Sequence, residues 1–240
     1  METQEKKSRL KQFLIQIHPS ALLLAAQMVQ LALFILLDQL PYRQTSITII
    51  GMLVLVLVVW VVNHSPGINW IAWALAVPAF IISILSSFLP GETLSGWAAL
   101  LQGLLYFYGA ISLIVYMMED TEVTIDELYA VGATFTLFAW GYAFFYFACQ
   151  AWLPGSFSSS LIDPARPLTF IELLSLSFTN LTATGLSDIL ATNTPARILI
   201  MLEQFTGIGY VAVVVSRLVG MTLQRKKKSS KDLPENKSLD

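Results

Sequence analysis

The chain has 240 residues, of which 55% are hydrophobic and 12% charged, with a formal net charge of −2 and a mean hydropathy of +0.66. Its apolar residues fall in long unbroken blocks without helical or strand alternation, which excludes an ordinary soluble domain and indicates a membrane protein. The lone cysteine, Cys149, excludes a disulfide within one chain.

A bilayer core about 30 Å thick takes roughly 20 apolar residues per helix. Six blocks meet that requirement, at residues 20–38, 46–63, 70–89, 96–118, 128–152 and 195–222. The first is full length and lacks a small-residue cleavage site, so it reads as a retained span rather than a signal peptide. The segment 1–19 ahead of it carries Lys6, Lys7, Arg9 and Lys11, and Arg217, Arg225, Lys226, Lys227, Lys228, Lys231 and Lys237 lie at or beyond the end of the sixth block. Cytoplasmic flanks retain such residues, so both termini are expected inside.

Residues 20–118 form a first module of four helices. Its fourth block has no Lys or Arg between Gly96 and Met118, and a voltage sensor of the usual kind needs several such charges in the field. The acidic linker 119–127 follows, where Thr124 and Glu127 have capping-box spacing and announce a new helix. A second module spans 128–222, and 223–240 is a basic tail.

Between blocks five and six, "PGSFSSSLIDPARP" is irregular chain, but Leu168 to Leu181, "LTFIELLSLSFTNL", reads as a helix, with Thr169 and Glu172 at capping-box spacing after Pro167. A helix of about 12 residues spans only some 18 Å, too short to cross a bilayer. It is expected to dip in and return through "TATGLSD". Lipid cannot satisfy the backbone groups of such a segment, so protein must bury it or water must bathe it. A string of small residues with open carbonyls fits the lining of an aqueous path.

The stretch "SFTNLTATGLSDI", followed by "ARILIMLEQFTGIGYVAVVVSRLVG", resembles the pore helix, selectivity filter and inner helix of the potassium channel superfamily, especially its small bacterial members. The resemblance covers roughly the last half of the chain. It implies an all-α membrane protein of six transmembrane helices plus a re-entrant pore helix and filter loop, with 128–222 as the pore module, assembled as a homotetramer. It also implies passive cation conduction and no enzymatic activity. The family's filter, TVGYG, has carbonyls that replace the ion's water shell.

Aligned on Gly185 and Asp188, that motif falls on Ala183, Thr184, Gly185, Leu186 and Ser187, with Thr182 leading in. Ala183 lacks the family's threonine hydroxyl, Leu186 lacks its bracing phenol, and Ser187 stands where the family holds a glycine at a backbone angle costing other residues roughly 1–2 kcal/mol. The implied permeant ion is K+, with relaxed discrimination against Na+, and no cofactor is implied. A non-conducting pore-like scaffold or modulatory subunit is the alternative.

Asp188 falls at the outer mouth, either as one of a ring of carboxylates or as an anchor bonded to the pore helix. Glu203 lies about two turns into the sixth helix, where a lone charge is costly and a functional or bonded role is the default. Hydroxyls behind the filter are its expected partners, and Glu172, as a cap, is expected to support the filter with it. Gly207 matches the family's hinge glycine and Gly209 follows; close helix packing is the other reading. Arg197 and Arg217 read as interfacial anchors.

The basic tail can attract anionic lipid or serve as a plain anchor. Histidines occur at His18 and His64, away from the hydroxyl cluster, and no metal-ligand, phosphate-loop or nucleic-acid-binding pattern is present.

Overall fold

The computed structural model describes residues 19–37, 56–57, 59–60, 69–88, 91–119, 125–161 and 166–231. The N-terminal tail, most of the second apolar block, Thr124, His18, His64 and the chain beyond Lys231 lie outside the described residues.

The elements in order are α1 (Pro19–Leu37), α2 (Asn69–Phe88), α3 (Glu92–Glu119), α4 (Ile125–Trp152), β1 (Phe157–Ser159), α5 (Phe170–Leu181), β2 (Ile189–Ala191) and α6 (Thr194–Lys231). Among the described residues, three stretches are long and apolar enough to cross a membrane: Glu92–Met118, Asp126–Trp152 and Thr194–Arg217. The apolar stretches Ser20–Phe34, Trp70–Ser86 and Phe170–Leu181 are shorter.

Helix α4 starts at Ile125, as the capping-box spacing of Thr124 and Glu127 leads one to expect, so Asp126 and Glu127 lie in its first turn. Helix α6 continues to Lys231 instead of ending at 222. The residues from Met221 to Lys231 include no glycine or proline and are mostly good helix formers, so nothing local stops the helix there.

Helix α4 is the hub, and α1 climbs beside it in the same direction. Ser20 donates to Asp126 (3.3 Å), Leu24 packs on Gly132, Thr136 donates to Gln27 (2.6 Å), and Phe34 stacks on Trp140. Helix α3 runs the opposite way. Tyr116 donates to Asp126 (3.0 Å), Phe107 meets Phe138, Gly103 faces Gly141, and Gly96 faces Trp152. Trp140 is sandwiched between Phe34 and Tyr106, and all three are buried. Helix α6 also descends antiparallel to α4, with Tyr142 bonded to Thr206 (2.7 Å), Tyr210 donating to the Val131 carbonyl (2.7 Å), and Arg217 paired with Glu127 (2.9 Å).

The α3–α4 seam depends on its two glycines. A Cβ at Gly103 would sit 2.5 Å from the Phe145 ring and 3.1 Å from the Gly141 carbonyl, and one at Gly141 would sit 2.6 Å from Phe107. We predict that Gly141→Val destabilises the protein by about 1–3 kcal/mol through overpacking. Gly91→Ala, into open space, should stay within about 0.5 kcal/mol of wild type. Thermal unfolding in detergent micelles separates the two.

Candidate functional site

The short helix α5 is held at its start by three groups. Thr169, extended at φ −73 and ψ 159, precedes the first turn, and its N–H is received by Glu172 at 2.6 Å. Arg166 grips the same carboxylate with two guanidinium N–H groups at 2.6 and 3.0 Å. From α4, Gln150 donates to the Leu168 carbonyl and accepts the Leu168 N–H, both at 3.0 Å. Glu172 is therefore a cap that also carries a bidentate ion pair. The Arg166 hydrogen bond, followed by those of Thr169, lowers its carboxyl to about 2 against some desolvation.

Halfway along, the buried Ser177 hydroxyl lies within hydrogen-bonding distance of two groups, the Ala139 carbonyl of α4 at 2.8 Å and the Glu203 carboxyl of α6. Tyr146 of α4 donates to the other oxygen of Glu203, whose side chain is fully buried. Glu203 thus sits where α4, α5 and α6 meet.

Helix α5 ends in a Schellman motif. The Ala183 N–H bonds to the Asn180 carbonyl (2.9 Å) and the Thr184 N–H to the Thr179 carbonyl (3.1 Å), with Gly185 N–H on the same oxygen at 3.3 Å. The residue bearing the left-handed angle is Ala183, at φ 55. Glycine usually occupies this place because a Cβ costs roughly 1–2 kcal/mol there. Gly185 is left-handed as well, at φ 65, whereas Ser187 is not. This corrects the sequence expectation that Ser187 would bear the costly angle, because here the turn out of the helix, and not the far end of the motif, forces the reversal.

The Thr182 and Thr184 hydroxyls bond to each other (3.1 Å) and to carbonyls of the last turn, Thr182 to Phe178 (2.8 Å) and Thr184 to Thr179 (3.2 Å). Both therefore serve the scaffold in this chain. The N–H groups of residues 182 to 185 are all occupied. In contrast, no carbonyl from Thr182 to Ser187 accepts a hydrogen bond from another described residue. The segment has spent its donors and kept its acceptors.

Beyond it the chain returns through β2, paired antiparallel with β1. Asp188 receives the Ser159 hydroxyl of β1, so its anchor is the outer hairpin and not the pore helix. Sequence gave no way to see this, because Ser159 comes from the irregular loop. Asn193 caps α6 by accepting the Ala196 N–H (3.0 Å) and donates to Ser156 (2.7 Å), while Arg197 reaches the Ala191 carbonyl (3.3 Å). Arg217 is not a free interfacial anchor, since its partner Glu127 lies buried on α4.

Gly207 lies about 15 Å below Arg197 along α6. A Cβ there would fall 2.0 Å from the Leu181 carbonyl oxygen. The position therefore requires glycine for close packing under the end of α5. Gly209 faces open space, and α6 runs through both without a break.

The fold brings Glu203, Gly207 and the Thr182–Ser187 segment around one helix end, with Asp188 above them. Glu172 stands apart, at the other end of α5. The missed residues are Tyr146, Arg166, Ser159 and Ser177. A hydroxyl on an apolar helix is the available sequence signal for Tyr146 and Ser177, but it does not name the partner.

Residues 132–224 match the family described as "Ion channel". The match covers less than half of the chain and supports a pore-loop protein of the potassium channel superfamily, an ion channel family and not an enzyme family, and the apolar helices suggest an integral membrane protein. No curated protein and no solved structure matches the chain.

Two predictions follow from this geometry. Ala183→Gly should stabilise the protein by about 1 kcal/mol by removing the left-handed Cβ, read as a rise in melting temperature. Glu172, depressed when folded, contributes stability above its unfolded value of 4.5 and loses it as pH falls toward about 2. Wild type should therefore exceed Glu172→Gln in melting temperature at neutral pH, with the gap closing across that window and unchanged above it.

Proposed function

We propose that the protein forms a homotetrameric cation channel in which four copies of the segment Thr182–Ser187 encircle the permeant ion. The observation that carries this reading is the asymmetry of the segment's backbone: its first N–H groups bond back to α5, and its carbonyls have no described partner. A row of free carbonyl oxygens at membrane depth suits a desolvated cation and repels an anion. One chain supplies one row, and a ring around an ion needs several.

The C-terminal end of α5 adds a partial negative charge of about half an electron below the row. On α6 the side chains of Leu202, Phe205 and Ile208 stay exposed in the single chain. They give symmetry mates an apolar surface to pack on and the cavity an apolar wall.

The ion is K+, discriminated only loosely from Na+. Ala183 offers no hydroxyl to the innermost site, and Thr184 directs its own to the scaffold. Leu186, 84% exposed, braces nothing within its own chain. Asp188 at the outer mouth adds a carboxylate per subunit. The carboxylates together raise the local cation concentration.

Purified protein in liposomes tests this. Under a KCl gradient the reversal potential should follow the cation, and with K+ opposite Na+ it should shift modestly toward K+. Gly185→Ala, placing a Cβ at φ 65, should cut flux by about tenfold, the population change a penalty of 1–2 kcal/mol produces. Flux no greater than in empty vesicles would favour the non-conducting scaffold.

A further inference from the structure

Glu203 poses a counting problem. Its side chain is fully buried, and its neighbours supply hydroxyls: Tyr146 at one oxygen and Ser177 at the other. The Ser177 oxygen also lies 2.8 Å from the Ala139 carbonyl. A serine hydroxyl has one proton, a carbonyl oxygen can only accept, and an ionised carboxylate can only accept. With Glu203 ionised, two acceptor oxygens compete for that single proton, and one close oxygen–oxygen contact has no hydrogen between its atoms.

We propose that Glu203 is a neutral carboxylic acid that donates its proton to Ser177 Oγ, forming a directed relay across three helices at the back of the filter. Ser177 then donates to the Ala139 carbonyl, and Tyr146 donates to the remaining Glu203 oxygen. Every contact receives one proton, and the chain joins α6 to α5 and α5 to α4.

The surroundings agree with a neutral acid. Among the described residues, the titratable groups facing Glu203 are Tyr146 and, one turn away on α4, Tyr142, and α5 presents Ser177. None of these is cationic. The nearest arginines on α6 itself are Arg197, at its outer end, and Arg217, paired with Glu127. A buried charge without a counter-charge is strongly disfavoured at membrane depth.

The acid is a positioning residue. Loss of its proton replaces a donated hydrogen bond with a buried charge facing two oxygens of α5 and α4, one turn from the Leu181–Gly207 contact. The Ser177 proton then serves either the carboxylate or the Ala139 carbonyl, so the pore helix loses its tie to α6 or to α4, and the segment that follows loses part of what fixes its start. This consequence for conduction rests on the channel reading, whereas the protonation state does not.

Infrared spectroscopy of the protein in lipid tests the protonation directly. The difference spectrum between wild type and Glu203→Gln at neutral pH should show the carbonyl stretch of a protonated acid, replaced by carboxylate bands only at alkaline pH. Carboxylate bands at neutral pH would overturn the proposal. If Glu203→Gln does not accumulate, Ser177→Ala reads the same bond: the acid band should move to that of a free acid, and an unmoved band overturns it. Glutamine can donate to Ser177 and accept from Tyr146, so Glu203→Gln should keep flux within about twofold of wild type at neutral pH. Wild type should lose flux at alkaline pH and Glu203→Gln should not. Parallel pH profiles would overturn the relay's role, while an acid band in a protein without flux would defeat the channel reading alone.

Discussion

A helix that stops at membrane depth must find partners for its last carbonyls without help from water or lipid. In this protein α5 solves the problem by folding its own continuation back on itself. The N–H groups of residues 182–185 and the hydroxyls of Thr182 and Thr184 all serve the last turn. The reversal forces a left-handed angle onto Ala183, and it turns the following carbonyls away from the helix. The local strain and the free acceptor row are two results of one constraint. A segment that met its backbone needs in the ordinary way, as helix or strand, would have no acceptors left over for an ion.

Such an arrangement holds only if the helix carrying it cannot move. Helix α5 has 12 residues, too few for its own hydrogen bonding to fix it. Its neighbours fix it at three heights. Gln150 and the Arg166–Glu172 fork hold the first turn, Ser177 and Glu203 the middle, and the backbone of Gly207 supports the end. The buried leucines Leu173, Leu174, Leu176 and Leu181 fill the space between these points. The polar ties supply direction where apolar packing alone would let the helix slide or rotate. The outer hairpin closes the assembly by joining Asp188 to Ser159 and the start of α6 to Ser156.

Much of this was legible in the chain itself. Block length and hydropathy locate α1, α2, α3 and α4, and the start of α6, to within a few residues, because burying backbone in lipid imposes one element type and one length. The Thr169–Glu172 spacing marks the start of α5, since a cap is a local interaction between residues three apart. A carboxylate in the sixth block marks Glu203 as unusual, because its cost does not depend on the fold. What stayed hidden is the partner of each polar group. Tyr146 and Glu203 are 57 positions apart, Asp188 and Ser159 are 29 apart, and no periodicity connects such pairs. The angle at Ala183 was hidden for a different reason. Alanine does not announce a left-handed turn as glycine or asparagine would, and the motif alignment drew attention to Ser187 instead.

The start of α4 shows how the first helices are joined to α6. Asp126 and Glu127 are adjacent in the first turn of α4, yet they face opposite partners. Asp126 receives Ser20 of α1 and Tyr116 of α3, while Glu127 pairs with Arg217 of α6. Removing one partner of a buried pair leaves the other charge uncompensated, at a cost of roughly 3–5 kcal/mol, so this end of α4 is tightly bound to both modules at once. Helices α1 and α3 pack along α4, and α6 meets α4 along its opposite stretch through Tyr210, Tyr142 and Tyr146. A displacement of the first module therefore reaches the inner helix mainly as a displacement of α4. The same helix carries Gln150, Ala139 and Tyr146, which hold α5, so among the described residues α1 and α3 are joined to α5 and α6 mainly through α4, with Phe34 against Phe170 and Arg217 against Met118 as direct contacts.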